Sequence, residues 1–332
     1  MKTVAVTGAT GFLGANLTLQ LAERGYEVIA CDLREAPQPL ADAAEAAQGT
    51  VRWWRFDVTD DSAWDLLGRE AVDALIHGGA VTPADESRPL NTVAVNLGGT
   101  VRSLEYARRN EIKRVIVMSS SSVYRDAGGQ PGEPLPEELP VTPLHGYGIC
   151  KIAGEAYAAM YRRDFAVDAL SVRMTSIYGP WERSTGSRTR MSPIYRMALA
   201  AVTGAPLRIE DRLGTTDWMD VAEAARGLIH LLELDRIPYD VVNLSTGRLV
   251  GIDRVVTALS SLCPDARLDV VSAGEDAVVD FVAHPNRGGR PLAVDRLRST
   301  GFQTEETIED SLARYVEWLS HEDHLRHVMP AG

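Results

Sequence analysis

The sequence predicts an α/β protein: a doubly wound parallel sheet followed by a smaller C-terminal α/β region. Three observations carry this. Short apolar runs of strand length alternate with helix-periodic segments from the N-terminus to about residue 175. Glycines at 8, 11 and 14 join the first of these strands to the first helix. After residue 175 the rhythm breaks into polar, arginine-bearing stretches and a final amphipathic helix.

Thr3-Val4-Ala5-Val6 reads as a buried strand running into Thr7-Gly8-Ala9-Thr10-Gly11-Phe12-Leu13-Gly14. Leu13, Leu17 and Leu21 then mark a helix that closes at Gly25. Glycines at this turn let the backbone bend tightly, approach a pyrophosphate and pack helix against strand, with free N–H groups facing the phosphates. This is the opening of a Rossmann dinucleotide-binding fold. Tyr26 to Asp32 is the second strand, and Asp32 stands where a ribose-binding carboxylate is expected. A carboxylate there accepts from the 2′-OH and repels a 2′-phosphate, which favours NAD over NADP; Arg34 works in the opposite direction.

An Ala-rich segment to Gly49 suggests a solvent-facing helix, and Val51–Phe56 a third strand ending at Asp57-Val58. Val72–Ile76 is the fourth, followed by His77-Gly78-Gly79-Ala80, where small residues let the chain pass close to a cofactor. His77 itself reads as structural. Asn91–Asn110 is a helix. Val115–Met118 is the fifth strand and delivers Ser119-Ser120-Ser121-Ser122-Val123-Tyr124 to its C-terminal end. The stretch from Gly128 to Pro143, rich in Pro, Gly and Glu, is a loop over the site. It leads to a helix opening with Tyr147-Gly148-Ile149-Cys150-Lys151. The i,i+4 spacing puts Tyr147 and Lys151 on one face, where an ammonium favours the phenolate and makes a general acid/base. A serine hydroxyl beside them can hold a substrate oxygen.

Val167–Arg173 is a sixth strand; a helix to about Thr203, a helix over Val221–Leu234 and a strand over Val241–Leu244 follow. Ile308, Leu312, Tyr315, Val316 and Leu319 form one helical face near the end. His321, His324 and His327 read as a frayed tail, and no metal site is expected. A net charge of −12 argues against nucleic-acid and anionic-membrane partners. Three scattered cysteines suit a reducing cytoplasm, and no apolar run approaches a membrane span.

At Tyr147-x-x-x-Lys151, the glycine loop, Asn96-Leu97-Gly98-Gly99-Thr100 and Arg173–Pro180, the chain resembles the extended short-chain dehydrogenase/reductases, the NAD-dependent epimerase/dehydratase family. The resemblance covers essentially the whole length. It implies a catalytic set of Ser120, Tyr147 and Lys151, with Tyr124 as the anchor that selects Ser120. It places NAD against Gly8, Thr10, Gly11, Phe12 and Leu13, against Asp32, Asp57 and Val58, and against Gly78, Gly79, Ala80 and Asn96. It implies an NAD-binding domain over residues 1–175, rejoined by about 217–245, and a mainly substrate-binding region over 176–332. It also implies a homodimer formed through the Asn91–Asn110 and Tyr147–Arg163 helices.

Departures from the family pattern bear on the substrate. Ser176 stands where nucleotide-sugar members carry Asn, and Thr216 precedes Asp217-Trp218 where they carry Arg. Both changes argue against a nucleotide-linked substrate. Arg183, Arg188, Arg190, Arg287 and Arg290, with Ser121, Ser122 and Ser176, are the candidate substrate contacts, the arginines suiting an anionic group. Ser121-Ser122 follow Ser120 where family dehydratases and decarboxylases keep acids. A serine pair cannot move the second proton those reactions need. Epimerisation of a sugar or sugar derivative by transient oxidation is therefore expected, with net oxidation of a sugar, sugar acid or similar alcohol as the alternative. A non-catalytic NAD-binding module would have no need of the Ser–Tyr–Lys set.

Overall fold

The computed structural model describes residues 2–82, 88–124, 129–185, 188, 191–210, 214–272, 289–304 and 306–329. The chain begins with β1 (Thr3–Thr7), α1 (Phe12–Glu23), β2 (Glu27–Asp32), α2 (Gln38–Glu45), β3 (Thr50–Arg55), α3 (Asp61–Leu67) and β4 (Ala74–His77). Helix α4 (Pro89–Thr92) passes through a π turn at Val93–Gly98 into α5 (Gly99–Arg109). Then come β5 (Arg114–Ser120), a 3-10 turn at Ser121–Tyr124, α6 (Gly146–Phe165), β6 (Ala169–Met174) and β7 (Ser176–Tyr178). The remainder holds α7 (Pro193–Thr203), β8 (Leu207–Glu210), β9 (Thr215–Asp220), α8 (Val221–Glu233) and β10 (Val241–Leu244). It continues with β11 (Leu249–Gly251), α9 (Ile252–Leu262), β12 (Leu268–Val271), α10 (Asp295–Ser299), α11 (Ile308–Ser320) and α12 (Glu322–Val328).

Seven parallel strands form one sheet in the order β10-β6-β5-β4-β1-β2-β3. The chain winds outward from β1 through β2 and β3, then returns to β4 on the other side. The switch point between β1 and β4 opens a crevice at the C-terminal strand ends, the place where such sheets bind ligands. Both faces are covered, so the strands carry apolar residues in both directions: β1 and β4 are buried throughout. One face packs Leu13, Leu17 and Leu21 of α1 with Leu228 and Ile229 of α8. The other packs Trp64 of α3, Leu104 of α5 and Ala158 and Tyr161 of α6.

Beyond β6, β7 and β11 flank β9 in a small sheet, and β8 pairs with β12. A separate core of Tyr178, Ile194, Trp218, Leu259, Leu312 and Tyr315 holds this region together. Strand β10 lies in the large sheet beside β6. Helix α8 starts where the Asp220 carboxylate accepts from the N–H groups of Ala222 and Glu223 at 2.8 and 3.3 Å.

Two segments differ from expectation. The tail is not frayed: α12 is docked by the Tyr195 hydroxyl, which donates to the Val328 carbonyl at 2.6 Å. The His324 ring stacks 4.3 Å from Trp318. Helix α2 is not wholly solvent-facing either, since Leu40 and Ala44 are buried.

Gly14 lies where α1 crosses β1, and an added Cβ would sit 1.9 Å from the Gly8 carbonyl oxygen. Backbone cannot rotate out of the way as a side chain can. Gly14→Ala is therefore expected to cost about 3 kcal/mol or more and to lower Tm by about 6 °C or more, read by thermal melting.

Candidate active site

A cleft of about 660 Å³ opens along the C-terminal ends of β1, β2, β4 and β5. The glycine loop forms its floor. Gly8 has φ +73°, and a Cβ there would meet the Gly78 backbone at 2.9 Å, so the two loops pass in contact. Helix α1 begins at Gly11 with no side-chain cap and no acid in its first turn, which leaves its amide groups directed at an anion. The Thr10 hydroxyl is buried without a partner among the described residues. A Cβ at Gly78 would fall 2.3 Å from Met118 Sδ, and one at Gly79 2.8 Å from Val58 Cγ1. Orphaned donors around a floor shaped by small residues fit a dinucleotide pyrophosphate.

At the far end of β2, Asp32 is only 7% exposed. Its carboxylate accepts from the Thr10 amide at 3.0 Å and from the Arg34 amide at 3.1 Å. The Arg34 guanidinium lies 3.8 Å from it. Asp57, Val58, Gly79 and Ala80 line the wall beyond. Asn96 stays out of the wall. Its side chain holds Val81 from both sides, accepting from the amide at 2.8 Å and donating to the carbonyl at 3.1 Å. His77 is likewise structural, bonded to the Thr7 hydroxyl at 2.8 Å and kept neutral by burial and the nearby Lys151, its pKa pushed down to about 3.

Tyr147 and Lys151 project from the first turns of α6, whose N-terminus is capped by His145 Nδ1 accepting from the Gly148 amide at 2.9 Å. Ser120, at the end of β5, lies close enough to Tyr147 for its hydroxyl to favour the phenolate. Lys151 Nζ donates to the Met118 carbonyl at 2.7 Å and lies 5.4 Å from the Tyr147 ring centroid. Burial pushes Lys151 down to about 8 and Tyr147 up to about 12. Here the structure departs from the simple picture of an ammonium lowering its neighbouring phenol. The Lys151 ammonium donates to the Met118 carbonyl, and the effects that oppose burial at Tyr147 are the nearby Ser120 hydroxyl and the Arg188 charge.

Arg188 lines the same cleft and lies over the Phe12 ring, 5.2 Å from its centroid. Fully buried Glu182 holds it at 2.5 Å and also accepts from the Ser192 amide and hydroxyl. The other candidate substrate contacts are more scattered. Ser121 and Ser122 lie in the 3-10 turn beside Ser120, and the Ser122 hydroxyl has no partner among the described residues. Ser176 is on β7 opposite Trp218. Arg183 reaches the Thr10 carbonyl at 3.4 Å, on the dinucleotide side. Arg290 donates to the Glu133 carbonyl at 2.8 Å and braces the 129–143 loop, outside the cleft wall. Arg190 and Arg287 lie outside the described residues. Thr82 and Thr185 also line the cleft and went unmarked in the sequence; both form isolated bridges to Arg188, Thr185 within a local turn and Thr82 through a long-range pairing that leaves no local pattern.

Comparison with known proteins decides the family. Residues 4–245 match the model of the NAD dependent epimerase/dehydratase family. The chain belongs to that family. It is an NAD-dependent enzyme of the short-chain dehydrogenase/reductase type. A putative UDP-glucose 4-epimerase of Methanocaldococcus jannaschii is 24% identical, over 95% of this chain and 98% of its own. A dTDP-4-dehydro-6-deoxy-D-allose reductase of a Streptomyces species is 30% identical, over 87% and 94%. Among solved structures, the UDP-N-acetylglucosamine 4-epimerase of Methanobrevibacter ruminantium superposes with TM-score 0.81 at 23% identity, covering 96% of this chain and 98% of that one. MoeE5, solved with UDP-glucuronic acid and NAD, gives 0.75 at 27% identity, covering 95% and 98%.

Calorimetric titration is expected to show NAD(H) binding more tightly than NADP(H), with Asp32→Ala narrowing the gap about tenfold or more. Tighter NADP(H) binding by the unaltered protein would assign control to Arg34 instead.

Proposed function

We propose that this protein is an NAD-dependent sugar epimerase that transiently oxidises a secondary alcohol of its substrate and returns the hydride to the other face. The observation that carries this reading is Tyr147 and Lys151 together on the wall of the glycine-loop cleft, with Ser120 near enough to act on the phenol and serines rather than acids completing the turn. NAD bound over the glycine loop and Asp32 would supply the hydride acceptor. Ser120 orients the substrate oxygen, and Tyr147 moves its proton. Burial keeps the phenol protonated at neutral pH, the form that donates when the keto sugar is reduced. The oxidative half needs the phenolate, which the Ser120 hydroxyl and the Arg188 charge both favour. Lys151 fixes the helix on β5 and adds positive charge.

Relatives that act on UDP- and dTDP-linked sugars support a sugar substrate. Arg188 is the substrate-side cation of this reading. Ser176 and Thr216 leave the nucleotide to experiment, so the substrate panel contains free and UDP-linked sugars. A second reading, net oxidation or reduction, is favoured by the similarity to the Streptomyces reductase. A homodimer is proposed through α4–α6, where Leu90, Val93, Leu144, Ile149 and Tyr157 are solvent-exposed. Three free cysteines suit a cytoplasmic location. Among the described residues no helix is long and apolar enough to cross a membrane.

The deciding assay incubates the protein with NAD and the panel while following epimer formation and NADH absorbance. Epimer without lasting NADH is expected; NADH accumulating in step with substrate loss would establish the dehydrogenase reading. Tyr147→Phe removes one oxygen and is expected to lower turnover by about 10²–10⁴-fold with NAD affinity retained. Single-turnover hydride transfer close to the unaltered rate would remove Tyr147 from the mechanism.

A further inference from the structure

We infer that Glu155, locked between Arg173 and Ser119, is a positioning residue that holds Lys151 and the Ser120–Ser122 turn in register for proton transfer. The inference rests on the mechanism proposed above but goes beyond it.

Glu155 and Arg173 are each 4% exposed. Arg173 grips the carboxylate with two nitrogens, Nε to Oε1 at 2.9 Å and Nη2 to Oε2 at 2.6 Å. The Ser119 hydroxyl adds a third bond to Oε1 at 2.5 Å. Ser119 and Arg173 are direct register partners on β5 and β6, so one carboxylate from α6 clamps a cross-strand pair. Arg173 Nη1 meanwhile donates to the Tyr124 hydroxyl at 2.7 Å and the Glu137 carbonyl at 3.2 Å. Tyr124 in turn donates to Asn243 of β10 at 3.0 Å. The 3-10 turn bearing Ser121 and Ser122 is thereby fixed to the same guanidinium.

The placement relative to the chemistry is what suggests more than stability. Tyr147, Lys151 and Glu155 recur every four residues along one stripe of α6. Lys151 bonds Met118, and Glu155 bonds Ser119, so consecutive residues of β5 are gripped immediately before Ser120. Any slide of α6 along β5 that separated Tyr147 from Ser120 would have to break both grips. Burying two ions costs several kcal/mol each before their attraction is counted, and apolar pairs often replace such bridges without loss of stability. An ion pair kept here has a geometric use that an apolar pair would not serve. The carboxylate also favours the Lys151 ammonium; Cys150, kept a thiol by burial, Tyr147 and neutral His77 are the other titratable groups facing this lysine.

The test uses three variants: Glu155→Leu/Arg173→Met, Glu155→Gln and Ser119→Ala. Thermal melting and turnover are followed together with the pH midpoint for acetylation of Lys151 by acetic anhydride. Mass spectrometry resolves that site because the chain has only three lysines, Lys2, Lys113 and Lys151. The double variant is expected to melt near the unaltered protein yet turn over about 10- to 100-fold more slowly, the scale of a misplaced catalytic group. Glu155→Gln removes the anion that favours the ammonium, so the Lys151 midpoint should fall. Ser119→Ala leaves the ion pair intact and should slow turnover about threefold or more while melting normally. A folded double variant with unaltered turnover and an unmoved midpoint overturns the inference. If that variant does not fold, unaltered turnover in Ser119→Ala together with an unmoved midpoint in Glu155→Gln overturns it equally. Labelling needs no substrate: a shifted midpoint in a protein that turns over no sugar would reject the epimerase reading while leaving the hold on Lys151 established.

Discussion

The close approach of α1 to β1 is the constraint on which the cleft depends. With no Cβ at Gly14, the helix rests on the Gly8 carbonyl, and the amides of its first turn reach the crevice at the switch point. Gly8 in turn lies against the Gly78 backbone, so the loops after β1 and β4 cannot separate without opening a void. Asp32 completes the frame by taking its hydrogen bonds from Thr10 within the loop and from Arg34 beyond it. The Asp32 carboxylate is thus a strut of the glycine loop.

Within that frame the reactive groups are governed by burial as much as by charge. Desolvation moves Tyr147 up, Lys151 down and His77 far down, each toward its neutral form. The ions that persist are held by explicit partners: Arg173 by Glu155, and Arg188 by Glu182. The Arg188 pair sits on the cleft wall and the Arg173 pair beneath the serine turn, so the cleft is flanked by two fixed ion pairs.

The sheet was legible because its strands are buried on both faces and its glycine loop is local in sequence. Observed strand limits differ from the expected ones by one or two residues, as at β6, where Ala169 rather than Val167 begins the pairing. What escaped the sequence depends on distant partners. Asn96 is set by Val81, Arg290 by the 133–134 backbone, and the tail helix by Tyr195 and Trp318, more than a hundred residues away in the case of Tyr195. The placing of Tyr147 and Lys151 on one face of α6 was legible by spacing, yet the balance of forces on Tyr147 was not. That balance depends on Met118 holding the ammonium and on Arg188 arriving from a different part of the chain.

Strand β10 has a consequence for how the chain is made. It pairs with β6, yet 66 residues separate Met174 at the end of one from Val241 at the start of the other. During synthesis the growing sheet therefore waits with the β6 edge uncovered, its N–H and C=O groups open to strangers. At about 5–20 residues per second that interval lasts several seconds. Helix α8, which covers the apolar face of α1, is delayed with it. The nascent chain passes through a sticky, half-built stage that ends when residue 244 clears the ribosome, a natural moment for a chaperone to attend it.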